Sequence, residues 1–409
     1  MSADPPAVRW SQVACLALLH GSIGLSWIVY ALYLPQLLGS LGLAAGLAVT
    51  LLAIENLLAI FLEPLFGFLS DQSFRRSGTR LPFIVAGVLL AATLFIATPL
   101  AVLTPIAKTD AGRAMFLALV VVWAIAMTVF RTPALALLGR YSTAPNLPRA
   151  ASILTLIGGG VAALRPGARE FMLTLGPVIC FGIGSLVLLL TCGAVWFIDR
   201  ATPAAEAPAR APPASLIGPL VTLAAAGAGM SLATFAIFGK LLPTVLRRLP
   251  PDWPGPERLM AVAFIFFALA ALAAGLIASR FGNERTMLIG AGLTAALVAA
   301  LAWFIHSTAS TLLGALALMA AFSLVANGVF PLALGRVPGG RGGLGLGFYF
   351  GGLAAVSSLA ATRFAAPLSI WEASVLALIG LVVVATAVWA GARPPLRKAS
   401  AKADRISVG

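Results

Sequence analysis

The 409-residue chain is 60% hydrophobic and only 10% charged, with a mean hydropathy of +1.02. Soluble domains run at roughly 45–50% apolar and about 25% charged residues, so a water-soluble globule is excluded. The net charge of +14 does not point to nucleic acid, because the basic residues sit in short loops between apolar runs, where they report membrane topology and contact with anionic headgroups.

Apolar runs follow one another along the whole chain, near Gln12–Leu34, Gly46–Leu69, Pro82–Thr104, Met115–Ala136, Ala151–Leu164 and Phe171–Ile198. A second set covers Leu216–Gly239, Leu259–Ala278, Thr286–Ile305, Thr311–Leu334, Leu344–Thr362 and Ser369–Ala390. Most have the length of about 20 residues that crosses a bilayer's hydrocarbon layer. Abundant Gly within these runs suits closely packed helices rather than barrel strands. The predicted fold is an all-α membrane protein of twelve transmembrane helices. The first run lacks a small-residue cleavage site and reads as a retained anchor.

Residues 199–215, DRATPAAEAPARAPPAS, are rich in Pro and Ala, cannot continue a helix, and read as a flexible linker at the chain's midpoint. The predicted organisation is a six-helix bundle over 1–198, a cytoplasmic linker over 199–215, a second six-helix bundle over 216–392 and a basic tail over 393–409. Seventeen Lys and Arg fall on the side of the N-terminus and the even-numbered loops, against nine on the other. The positive-inside rule then puts both termini in the cytoplasm, in a chain read as a bacterial inner-membrane protein.

The two halves echo each other. GFLSDQSFRRSGTR after the second span matches GLIASRFGNER after the eighth, VFRTPALALLGR matches VFPLALGR, and GGGVAAL matches FGGLAAV, all at offsets of roughly 200 residues. Three echoes in one order predict a duplication, with Gly67 equivalent to Gly275 and Gly159 to Gly351. Parallel six-helix repeats related by an axis along the membrane normal place a substrate site between the halves, near the midplane.

The stretch Gly67-x-x-Ser70-Asp71-x-x-x-Arg75-Arg76-x-Gly78-x-Arg80, followed by Pro82-Phe83-Ile84, resembles the signature loop of the major facilitator superfamily. Within it, SDQSFRRSGTRLPFIVAG is similar to the glycoside/cation symporters and the sucrose-type proton symporters, although Gly139-Arg140 stand where that branch carries an Asp. The resemblance implies the major facilitator fold and a secondary transporter, a symporter of a small organic solute such as a sugar or glycoside. It also implies that Asp71 caps the helix beginning near Leu344, with Gly67, Arg75, Arg76, Gly78 and Arg80 completing a cytoplasmic gate.

Ionisable residues inside spans are costly, about 2.5–3.5 kcal/mol each on insertion scales, so they are candidates for function. His20, Glu55, Glu63 and Arg131 stand out. Glu55, beside Asn56, either exchanges a proton during transport or stays a neutral carboxyl bonded to a neighbouring helix. Glu63 and Arg131 lie at similar depth and form a candidate ion pair, a permanent brace or a proton-sensitive switch. His20, Trp27 and Tyr30 either line a solute cavity or pack between helices. The expected partners are the bilayer, a small-molecule substrate and a proton or other cation.

Enzyme chemistry has no footing in the sequence: there is no HExxH, GxSxG or Walker A motif. Cys15, Cys180 and Cys192 show no metal-ligand spacing, and no metal or cofactor is expected. Gly158-Gly159-Gly160 and Gly351-Gly352 follow no strand and read as helix contacts rather than nucleotide loops. The competing reading is a facilitator-like factor that no longer moves solutes and serves assembly or pigment handling, as facilitator-like proteins of photosynthetic complex assembly do.

Overall fold

The computed structural model describes residues 8–200, 215–303, 307–364 and 366–392. Most of the sequence-defined linker and the whole basic tail lie outside the described residues. Among the described residues twelve helices are long and apolar enough to cross a membrane. In chain order they are α1 (Trp10–Ser40), α2 (Leu47–Ser77), α3 (Leu81–Val102), α4 (Asp110–Ala136), α5 (Leu147–Gly167) and α6 (Pro177–Arg200). The second half holds α7 (Ile217–Ala236), α8 (Pro256–Phe281), α9 (Asn283–Trp303), α10 (Thr308–Arg336), α11 (Gly342–Arg363) and α12 (Ile370–Ala392).

The sixth span departs from its sequence-defined limits. Residues 171–175 belong to a separate short helix, Arg169–Leu175, because Gly176 takes φ +80° and ends it before Pro177 starts α6. Beyond the seventh span's predicted end the helix runs on through a π-helical turn, Ile237–Leu241, into Leu242–Leu246. Asp199, the first residue of the sequence-defined linker, is instead the buried end of α6.

Helix packing repeats between the halves. In the first, α1 packs on α5 and α6, α2 on α4, and α3 on α4 and α6; in the second, α7 packs on α11 and α12, α8 on α10, and α9 on α10 and α12. Adding six to each label converts one list into the other, which is the signature of two pseudo-symmetric six-helix bundles related as parallel repeats. The bundles meet along two equivalent seams, α2 with α11 and α8 with α5.

Glycines make both seams possible. A Cβ on Gly67 would overlap Gly343 O, and one on Gly275 would lie 2.7 Å from Ser152 Cβ. Gly159 faces Ala268, and Gly351 faces Ile60 O and Pro64. The repeat-related glycines of the sequence therefore stand at equivalent seam positions, where small residues let backbones approach without lipid between them. Away from the seams α2 turns Leu57, Phe61, Leu65 and Phe68 outward, as a helix facing hydrocarbon requires.

Candidate functional site: an acidic ladder on α2

Only eight of the 31 residues of α2 are buried: Ala48, Leu51, Glu55, Ala59, Glu63, Gly67, Ser70 and Asp71. Spacings of three and four put them on one stripe. Three of them are acids eight residues apart, so Glu55, Glu63 and Asp71 form a ladder whose rungs stand about 12 Å apart at 1.5 Å per residue. Each acid meets different partners.

At the rung nearest the start of α2, the Tyr30 hydroxyl of α1 donates to Glu55 Oε1. Tyr30 and Trp27 pack around Trp123 of α4, with ring centroids 4.5 and 4.9 Å away, and Phe95 of α3 stacks on Trp123 at 5.1 Å. These rings pack on one another. Glu55 Oε2 and the Trp27 and Trp123 indole nitrogens are buried and have no hydrogen-bond partner among the described residues. Asn56 does not join this group: its amide donates to Leu52 O of its own helix at 2.8 Å.

At the middle rung, Arg131 Nη2 of α4 lies 2.5 Å from Glu63 Oε1, and Thr132 Oγ1 donates to Glu63 Oε2. Glu63 is fully buried, while the Arg131 side chain keeps 18% of its exposure. The Arg131 guanidinium lies over the Phe350 ring of α11, 4.4 Å from its centroid, a geometry that favours a cation on an aromatic face. Gly347 of α11 passes against Glu63 O and Pro64. The pair therefore sits on the α2–α11 seam. His20 of α1 is also between the halves, edge-on to Phe330 of α10 at 5.6 Å and against Gly158 of α5.

At the third rung, Asp71 bridges the halves. Its Oδ1 accepts from Gly343 N–H at 3.0 Å and its Oδ2 from Leu344 N–H at 2.8 Å, the first turn of α11. Arg80 Nη2 donates to Oδ1 at 2.6 Å. Free amides and a positive dipole end make a helix N-terminus favourable for a carboxylate. Gly78 at φ +72° closes α2 and turns the chain so that Arg80 can reach back. Arg75 and Arg76, expected beside Asp71, do not join this cluster: both are exposed and have no side-chain partner among the described residues.

Further polar contacts lie at the seam and its edges, and of these the sequence marked the two arginines by an internal echo. Asn327 of α10, fully buried, donates to Pro148 O at 3.1 Å and pairs with Thr155 of α5 at 3.3 Å. Arg140, after α4, grips Asp199 of α6 through both carboxylate oxygens at 2.9 and 2.8 Å, and Tyr141 donates to the same carboxylate. Its repeat partner Arg336, ending α10, reaches Glu284 at 2.6 Å and the carbonyls of Ala387 and Val388 on α12. The echo of VFRTPALALLGR and VFPLALGR thus marks two arginines doing equivalent bracing.

Solved structures share this architecture across almost the full chain. One is a bacterial homologue of the iron transporter ferroportin in its outward-facing state, at TM-score 0.66 and 17% identity, covering 93% of this chain and 97% of that one. Another is the major facilitator superfamily transporter FucP in its outward conformation, at TM-score 0.66 and 15% identity, covering 93% and 99%. The N162A form of the E. coli fucose:proton symporter FucP matches at TM-score 0.62 and 13% identity, covering 93% and 98%. No curated protein matches the sequence. The twelve-helix, two-bundle arrangement is the major facilitator fold. The chain belongs to the PUCC protein family, whose model matches residues 37–242, from the end of α1 to the start of the turn after the π segment.

Proposed function

We propose that this protein is a secondary transporter that moves a small organic solute by alternating access, coupled to a proton or another cation. The observation that carries the reading is the Glu63–Arg131 pair, a buried ion pair set against the α2–α11 seam by Gly347 and Phe350. A charge pair at the contact between bundles links its own state to their separation. A proton taken by Glu63 would loosen Arg131, and a loosened Arg131 would withdraw from Phe350 on the opposite half. Intramembrane ionisable residues of this kind mark ion and proton paths in transporters.

Glu55 serves as a second proton station and Asp71 as the gate that holds the outward-facing form. The basic loops favour an inner-membrane protein with both termini in the cytoplasm. The fold neighbours include a fucose:proton symporter and a homologue of an iron transporter. A sugar or glycoside is the solute class we favour, from the resemblance of the Asp71 loop to that symporter branch.

A second reading, a non-transporting factor for assembly or pigment handling, is favoured by the tightness of the seams. Gly67, Gly347 and Gly351 bring α2 and α11 into backbone contact, and Gly159 and Gly275 do the same for α5 and α8. Proteoliposomes with an imposed proton gradient, screened against sugars, nucleosides and organic acids, separate the two. Gradient-driven accumulation of any solute supports transport. Its absence across the screen, together with co-purification of a pigment or a membrane-protein partner, supports the second reading.

A further inference from the structure

At the face where α1 begins and α12 ends, α1, α5 and α8 leave a groove of about 150 Å³ lined by Trp10, Arg149, Ser152, Ile153, Leu272 and Leu276. Its floor is the second seam, where Gly275 lies against Ser152 and Pro148 O. Its walls are apolar and open outward: Leu272 and Leu276 are exposed, and Trp10 is 48% exposed. Trp10 opens α1, the level at which amphipathic rings settle between hydrocarbon and headgroups.

The mouth of the groove is cationic. Arg149 stands exposed in the first turn of α5, and Arg280 is exposed one turn beyond Leu276 on the same face of α8. No described acidic residue neutralises them. Among the described residues this face holds three acids, Asp71, Asp199 and Glu284, and each is engaged by another arginine: Arg80 at 2.6 Å, Arg140 at 2.8 Å and Arg336 at 2.6 Å. Neither Arg149 nor Arg280 has a side-chain partner among the described residues.

An occupant that suits both features carries an anionic group at headgroup level and an apolar chain. We infer that the groove is a binding site for an anionic phospholipid, with its phosphate between Arg149 and Arg280 and an acyl chain along Ile153, Leu272 and Leu276. Such a lipid touches α5 of one half and α8 of the other. It therefore adds to the closure of this face, on the seam opposite the Asp71 gate. A free phosphate has the charge but leaves the apolar walls uncovered, so it gains nothing from their burial.

The test reconstitutes the full-length protein in phosphatidylcholine vesicles that contain, at equal mole fraction, either brominated phosphatidylglycerol or brominated phosphatidylcholine. Bromine quenches a tryptophan it touches, and the Trp10 signal is the difference from Trp10→Phe. Phosphatidylglycerol should quench Trp10 at roughly twenty-five-fold lower mole fraction, since each of the two arginines at headgroup level contributes about fivefold. The double variant Arg149→Gln/Arg280→Gln should lose this preference, while Arg75→Gln/Arg76→Gln should keep it. Leu276→Trp, which fills the groove without touching a charge, should also lose it and covers the case where the arginine variant folds poorly. Equal quenching by the two lipids overturns the site. A preference that survives in both groove variants overturns it as well, and displacement by glycerol 3-phosphate would assign the groove to a soluble phosphate instead.

Discussion

Arg131 of α4 is held 2.5 Å from Glu63 of α2 while its guanidinium faces the Phe350 ring of α11, so an ion pair of the first bundle is covered by a ring of the second. Removing one partner leaves the other charge buried, which typically costs about 3–5 kcal/mol, whereas removing both is milder. Glu63→Gln and Arg131→Gln should each lower folded yield and thermal stability in detergent. The double variant should recover a good part of the loss, with a coupling of about 0.5–3 kcal/mol. Additive losses would show that the two residues are stabilised by separate neighbours.

Asp71 holds the first turn of α11 through the amides of Gly343 and Leu344 and is itself held by Arg80. Asp71→Asn keeps the shape but removes the charge that the helix end favours, a contribution of about 0.3–1 kcal/mol and up to about 2 when partly buried. It also strands the guanidinium of Arg80, only 4% exposed. In a background without native cysteines, Ser152→Cys reports whether this face opens, because Ser152 is 4% exposed against Gly275. Asp71→Asn should speed alkylation of that cysteine. An unchanged rate would mean that Asp71 does not set the conformational balance.

The seam glycines make a steric prediction. A Cβ at Gly67 overlaps Gly343 O, whereas a Cβ at Gly193 of α6 meets nothing within 4 Å. Gly67→Ala should therefore destabilise the closed form by about 1–3 kcal/mol through overpacking, and Gly193→Ala should be silent. Thermal unfolding and alkylation of Ser152→Cys read both. Equal behaviour of the two variants would show that α2 and α11 can part there without loss.

The spans were legible because lipid imposes a length on every crossing helix and leaves its outward face apolar. The Glu63–Arg131 contact was legible for a different reason: the expense of a lone intramembrane charge forces the search for a partner at equal depth. Thr132, Phe350 and Gly347 were not, since the register of helices from opposite halves is set by packing that a single sequence does not display. Asn56 beside Glu55 illustrates the limit of adjacency, because neighbours on a helix point about 100° apart. Arg76, five residues beyond Asp71, points about 140° away from it, and Arg75, four residues beyond it on nearly the same face, is turned to the exposed surface instead. His20 and Tyr30 share α1, yet ten residues separate them by about 15 Å of depth, and they serve different rungs. The break at Gly176 did have a signal in the Gly-Pro pair at 176–177, a known punctuator of helices.

The last prediction separates a coupling role for Glu55 from a bracing one. Tyr30 donates to Glu55 Oε1, and Glu55 Oε2 has no partner among the described residues, in a site where Glu55 is 4% exposed. Tyr30→Phe removes the bond and leaves the acid wholly unsatisfied, which costs about 1–3 kcal/mol for a buried polar group. Glu55→Gln keeps an oxygen for the Tyr30 hydroxyl and removes only the ability to carry a proton. If Glu55 is a brace, Tyr30→Phe should be the damaging change, and Glu55→Gln should match the parent protein in both stability and gradient-driven uptake. If Glu55 exchanges protons, Glu55→Gln should fold with an unchanged melting temperature and still bind solute, but uptake should no longer respond to an imposed pH gradient. Solute-induced proton entry, followed with a pH-sensitive dye inside the vesicles, gives the same answer independently. Intact gradient-driven uptake in Glu55→Gln would leave Glu63, the only other carboxylate buried at depth on α2, to carry the coupling.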